Sequence, residues 1–139
     1  MIKTLKTLVK ISKFSIDEKK KELGIILAEK EKKIQNIKDL ESDLKNEEAK
    51  SLTLPIEYQG IFPFFVLFVR DKQQNLLNEI ERLNPIIQEK TNELIDLFAE
   101  NKKFEILKEN KENEILAEII KKNQLELDEI GINNYAKRN

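Results

Sequence analysis

The sequence predicts an all-α protein built as a long antiparallel two-helix coiled-coil hairpin. Apolar residues recur every seven positions on both sides of a break near residue 50. Charged residues make up 37% of the chain and apolar residues 40%, and only three glycines and three prolines interrupt it. This composition is typical of long helices that bury a narrow apolar seam rather than a deep core.

The first helix is expected over residues about 2–49, which contain no proline and a single glycine. One heptad row, interrupted only by Lys30, contains Ile2, Val9, Ile16, Leu23, Ile37 and Leu44. The second row is half polar and contains Leu5, Ser12, Lys19, Ile26, Lys33, Leu40 and Glu47. Two such rows form the seam of a coiled coil, here an imperfect one. The lysine-rich runs 19–21 and 30–33 are interpreted as solvated helix surface.

A connecting loop is expected at residues about 50–62, because Pro55 and Gly60 are turn and loop signals. The most hydrophobic stretch of the chain follows at residues 61–69. It is far shorter than the roughly 20 apolar residues that cross a bilayer, so no stable membrane insertion is expected. Pro63 suits the first turn of a new helix, where a missing amide proton costs little.

The second helix is expected over residues about 63–136. One row contains Ile80, Ile87, Leu94 and Ile115, and the other contains Leu76, Leu83, Leu97 and Phe104. The rows keep their phase across Pro85, which predicts a kinked but continuous helix rather than a break. Residues 1–139 are therefore expected to form a single hairpin domain.

The second helix is longer than the first, so its end has no facing partner. Symmetric pairing about the loop places residue 2 near residue 111, and the lysines of residues 1–16 near the glutamates of residues 100–114. The C-terminal overhang, residues about 112–138, nevertheless carries many aliphatic side chains. An apolar stripe with nothing opposite it predicts a binding partner or self-association of the chain.

Composition argues against catalysis and against nucleic-acid binding. The chain has no cysteine and no histidine, and its three glycines stand alone, so no thiol chemistry, no imidazole base and no phosphate-binding loop is expected. A net charge of −1 disfavours general binding to phosphates. No cofactor, metal site or catalytic residue is expected. Residues 1–16 carry lysines and no acid, but they lack the compact apolar run of a signal peptide.

Two segments of the sequence are similar to a known family. Residues 118–130 form a charged helix that ends in Leu127-Asp128-Glu129-Ile130 and is followed by a basic tail at residues 135–138. Residues 5–8 and 16–23 supply the matching start. With these motifs the chain resembles the FliJ family of the bacterial flagellar type III export apparatus, and in particular its alphaproteobacterial members.

The resemblance implies a non-catalytic, two-stranded coiled coil similar in shape to the γ stalk of rotary ATPases. It implies a cytoplasmic protein peripheral to the inner membrane at the export apparatus. The implied partners are the hexameric export ATPase, the export gate protein and export chaperones.

Two groups of residues are candidates for binding partners. The first, beside the loop, contains Phe64, Phe65, Leu67 and Phe68. These side chains can fill the hairpin tip by folding onto Leu52, Leu54 and Ile56, form a docking surface, or do both. The second group lies in the C-terminal overhang and contains Ile115, Leu116, Ile119, Ile120, Leu127, Asp128, Glu129 and Ile130.

Other functions also fit a charged coiled coil. One alternative is a purely structural role, such as a stalk subunit of another rotary ATPase or a tethering protein. Another is binding to a membrane surface through residues 1–16 and the phenylalanine cluster.

Overall fold

A computed structural model describes residues 1–138 of the chain; the side chain of Arg138 and all of Asn139 lie outside the described part. Helix α1 spans Ile2–Ser51, the short helix α2 spans Ile56–Gln59 and helix α3 spans Phe62–Arg138. No strand occurs among the described residues. The predicted all-α class is confirmed, and the loop contains a helical turn that the sequence did not predict.

The chain divides into two compact units. The loop unit contains Asp17–Ile95, and the terminal unit contains Met1–Ile16 together with the residues from Asp96 onward. Within each unit a segment of α1 packs against a segment of α3 in antiparallel fashion, which confirms the two-helix hairpin fold. That the two units act as one hairpin domain stays a prediction.

The core of each unit is a narrow seam along the heptad rows. Leu44, Val69 and Ile80 are buried in the loop unit, and Leu5, Val9 and Ile16 in the terminal unit. Burying an aliphatic side chain contributes roughly 1.5–3 kcal/mol, so each of these residues stabilises the unit to which it belongs. The heptad pattern therefore identified the buried face of both helices.

Helix α3 continues through Pro85 without interruption. A proline inside a helix removes one backbone hydrogen bond and crowds the preceding turn. The seam residues Leu83 and Ile87 on either side of it are half-buried. The continuity agrees with the in-phase heptad rows, and the kink itself stays a prediction.

Candidate functional site

Ion pairs across the seam align α1 with α3 in the loop unit. The Lys33 ammonium lies 2.8 Å from the Glu79 carboxylate, and the Lys19 ammonium lies 2.6 Å from that of Glu93. Lys19 and Lys33 are half-buried. The interpretation of both lysine runs as solvated surface was therefore wrong for these two residues, whose long stems cover the seam while their charged ends reach a carboxylate.

These pairs shift the ionisation of their members. The paired Glu93 carboxylate raises the pKa of Lys19, and the hydrogen bond to Glu79 raises the pKa of Lys33. The same contacts lower the pKa of Glu93 and the pKa of Glu79. Both pairs are therefore charged at neutral pH, and they fix the register of the two helices more than they add to stability.

A polar network near the loop also interrupts the apolar seam. The buried Gln73 side chain donates to the backbone carbonyl of Ile37 at 3.2 Å and to the Glu41 carboxylate at 3.1 Å. Its amide oxygen accepts from the Arg70 guanidinium at 2.7 Å, and Arg70 also pairs with Glu41. Each buried polar atom of Gln73 has a partner, so this network can specify the register of the helices at the base of the loop.

The loop is held by its own hydrogen bonds. The amide of Thr53 donates to the carbonyl of Lys50 at 3.1 Å, and the Gln59 side chain donates to the carbonyl of Leu54 at 3.0 Å. The Phe65 side chain lines a groove of about 200 Å³ together with apolar residues of the loop. Phe65 is half-buried, so it belongs to the packing of the tip.

The remaining apolar side chains around the loop face solvent and form the tip surface. The tip surface consists of Leu52, Leu54, Ile56, Tyr58, Ile61, Phe64, Leu67 and Phe68. The exposed fraction is 73% for Phe64, 67% for Leu67 and 55% for Phe68. These three side chains therefore do not fill the tip, although the sequence allowed that reading. The Lys72 ammonium lies 4.7 Å from the centre of the Phe68 ring, a cation–π contact at the edge of the surface.

The terminal unit sets where the C-terminal overhang begins. Met1 and Leu5 line a shallow groove with Leu107, Lys111 and Glu114 of α3. Helix α1 therefore starts beside residues 107–114, as the symmetric pairing predicted. The Lys13 ammonium, 3.7 Å from the Glu105 carboxylate, provides one of the expected lysine–glutamate contacts.

Beyond that level the overhang is a single exposed helix. Ile115 is half-buried, and every described residue from 116 to 137 is exposed. The exposed fraction is 50% for Ile119 and 60% for Ile120. Asp128 accepts a hydrogen bond from the Gln124 side chain at 3.1 Å within the same helix turn. The structure thus brings the predicted residues of this group together on one free helix.

The apolar side chains of the overhang occupy two faces. Ile115 continues a heptad row that packs against α1, and the first set of apolar residues lies within about 140° of it around the helix. The first set consists of Leu116, Ile119, Ile120, Leu127 and Ile130. Leu125 and Ile132, which are also exposed, lie on the opposite side of the helix. A helix that is apolar on more than one side is normally enclosed by its surroundings. The overhang can therefore be contacted from more than one side.

Heptad analysis missed one exposed feature of the terminal unit. Ile11 and Phe14 lie outside both heptad rows, and their exposed fractions are 57% and 65%. The sequence signal for this exposed apolar surface was the presence of two large apolar residues outside the seam of a charged helix.

Neither a membrane-spanning helix nor a metal-binding cluster occurs among residues 1–138. No helix in this range is long and apolar enough to cross a membrane. No group of three or more acidic side chains in the described part is arranged to hold a metal ion.

Comparison with known proteins gives one match over the full length. The family model described as Flagellar FliJ protein matches residues 1–139. No curated protein and no solved structure matches the chain.

Proposed function

This chain belongs to the FliJ family of flagellar proteins, coiled-coil components of flagellar export, and we propose that it works by binding the export ATPase, the export gate protein and export chaperones. It acts by binding rather than by catalysis, in the cytoplasm beside the inner membrane. Two surfaces are available for these contacts: the C-terminal overhang and the tip surface.

The C-terminal overhang is the docking element for the hexameric ATPase in this proposal. The observation that carries it is a free helix with exposed aliphatic side chains on two faces. A ring of subunits can surround such a helix and contact both faces at once, which a single flat partner cannot do. Because each buried aliphatic side chain contributes roughly 1.5–3 kcal/mol, a few such contacts suffice for stable binding.

The tip surface is proposed to bind the export gate protein or a chaperone. Its centre, Phe64 and Phe68, offers two large aromatic side chains that are already exposed. Aromatic side chains are enriched among the residues that dominate the energy of protein interfaces. The loop beneath them is ordered by backbone hydrogen bonds, so binding costs little conformational entropy.

Truncation after Asn113 tests the role of the overhang. The shortened chain keeps the whole loop unit and the segment of α3 that packs against residues 1–16. We expect circular dichroism to show a folded helical protein, and we expect pull-down with the purified export ATPase to show no binding. The full chain with Leu116 and Ile120 replaced by serine should bind weakly, whereas Ile25→Ser, an exposed control on α1, should bind normally.

Binding of the truncated chain at the level of the full chain would rule out the overhang as the ATPase docking element. Equal binding by an unrelated coiled coil would instead support a generic structural role.

A further inference from the structure

The solvent side of the first turns of α1 carries no charged residue. We call it the N-terminal outer face, and it consists of the exposed Thr4, Thr7, Ile11 and Phe14 with the half-buried Leu8 and Ser15 at its edge. Helical spacing of three and four residues places these side chains next to one another. In a chain with 37% charged residues, an exposed helix face without a charge is unusual.

The seam does not account for this face. Leu5, Val9 and Ile16 are buried on the side of α1 that packs against α3, whereas Ile11 and Phe14 are exposed. Hydrogen bonding lowers the polarity of the face further, because the Thr7 hydroxyl donates to the backbone carbonyl of Lys3, in the same helix, at 3.0 Å. The face is therefore apolar and unpartnered within the chain.

We propose that the N-terminal outer face binds the C-terminal overhang of a second copy of this chain. The two contacts are reciprocal, so the product is a closed two-fold dimer. Each contact joins two surfaces that are exposed and apolar in the single chain.

Charge complementarity favours the overhang of a second copy as the binding partner of this face. Residues 1–16 carry four lysines and no acid, whereas residues 115–130 carry four acids and two lysines. The basic segment of one copy therefore attracts the acidic overhang of the other. Pairing two overhangs with each other would bring like-charged segments together, which disfavours that arrangement.

The geometry of the terminal unit allows the contact only between copies. Met1 lies beside Lys111 and Glu114, so the overhang starts at the level where α1 starts. Helix α3 continues without a turn to Arg138, so the overhang runs away from the outer face of its own chain. Two copies that meet end to end, with their helices antiparallel, place each overhang along the first residues of the other α1.

The dimer also has a consequence for the proposed function, although it does not depend on that function. It covers the helix that the ATPase would bind, so dimerisation and ATPase binding exclude each other. Binding of the monomer by the ATPase would therefore shift the monomer–dimer equilibrium toward the monomer by mass action.

Sedimentation equilibrium of the full chain, without any partner, tests the inference. We expect a reversible monomer–dimer equilibrium that weakens as the salt concentration rises, because part of the attraction is electrostatic. The double variant Ile11→Ser/Phe14→Ser should raise the dimer dissociation constant by about tenfold or more, since an exposed aromatic anchor is lost from each contact. Ile25→Ser, 71% exposed on the same helix, is the matched control and should leave the constant unchanged.

The double variant Leu127→Ser/Ile130→Ser tests the other half of the contact and should weaken the dimer to a similar degree. Circular dichroism should show unchanged helicity for both double variants, because all four side chains are exposed. A chain that stays monomeric at high concentration would overturn the inference. A dimer that survives Ile11→Ser/Phe14→Ser but not the overhang variant would also overturn it, since the overhangs would then pair with each other.

A membrane is the competing occupant of the N-terminal outer face. Vesicles of phosphatidylglycerol and phosphatidylethanolamine should leave the full chain in the supernatant on centrifugation. Sedimentation with these vesicles that is abolished by Ile11→Ser/Phe14→Ser, together with a monomeric chain in solution, would assign the face to lipid and refute the dimer.

Discussion

Replacing Gln73 separates the stability of the hairpin from the specification of its register. Gln73 is a buried polar residue in the α3 seam, with hydrogen bonds to the Ile37 carbonyl, to Glu41 and to Arg70. When Gln73 is removed, Arg70 and Glu41 still pair with each other. Ile37 lies inside α1, so its carbonyl keeps its helical hydrogen bond.

The expected magnitudes follow from which groups lose a partner. Three hydrogen bonds disappear, each with a net contribution of about 0.5–1.5 kcal/mol, but no partner is left buried and unsatisfied. Gln73→Ala also leaves a gap in the seam, so we expect it to lower the free energy of unfolding by about 2–3 kcal/mol. Gln73→Leu fills the gap with an apolar side chain worth roughly 1.5–3 kcal/mol, so it should lie within about 1 kcal/mol of the wild type.

Urea unfolding followed by circular dichroism measures both values. Gln74→Ala is the control, because Gln74 is exposed and bonds only to Asn78 of its own helix, and it should change the free energy by less than about 0.5 kcal/mol. If Gln73→Leu loses as much stability as Gln73→Ala, the network itself stabilises the hairpin, and its role is not confined to specifying the register. A Gln73→Leu chain that stays stable but forms mixed oligomers would support the register role.

Two further predictions concern the tip surface and the effect of pH. Phe64→Ser/Phe68→Ser should weaken binding of the gate protein or chaperone in a pull-down, while the melting temperature stays unchanged because both side chains are exposed. Phe65→Ser should instead lower the melting temperature, because Phe65 packs under the loop. The lowered pKa of Glu93 means that its contribution to stability is present above the unfolded pKa of about 4.3 and is lost as the pH falls through the lower folded value. The raised pKa of Lys19 means that its contribution to stability is lost only as the pH rises through the pKa of the folded state, above about 10.4. The melting temperature should therefore fall at both low and high pH. A melting temperature that does not change with pH would contradict the pairing.

The sequence by itself determined the helices and the face of each helix that is buried. Heptad rows are a property of local spacing, and Leu44 and Val9 could be assigned to the seam without knowledge of any partner residue. The approximate register also followed from chain length, because two helices joined by a short loop must pair outward from that loop. The exposure of the overhang followed in turn, since α1 is too short to cover it.

Only the tertiary structure decided which polar residues of the rows are satisfied and which apolar residues outside them stay free. Lys33 and Gln73 interrupt the apolar pattern in the same way, but their hydrogen bonds depend on residues more than thirty positions away in the chain. Phe65 and Phe68 are three residues apart in one apolar run, and the path of the loop determines that the first is half-buried and the second exposed. Periodicity records which way a side chain points, whereas burial and pairing depend on what the rest of the chain places opposite it.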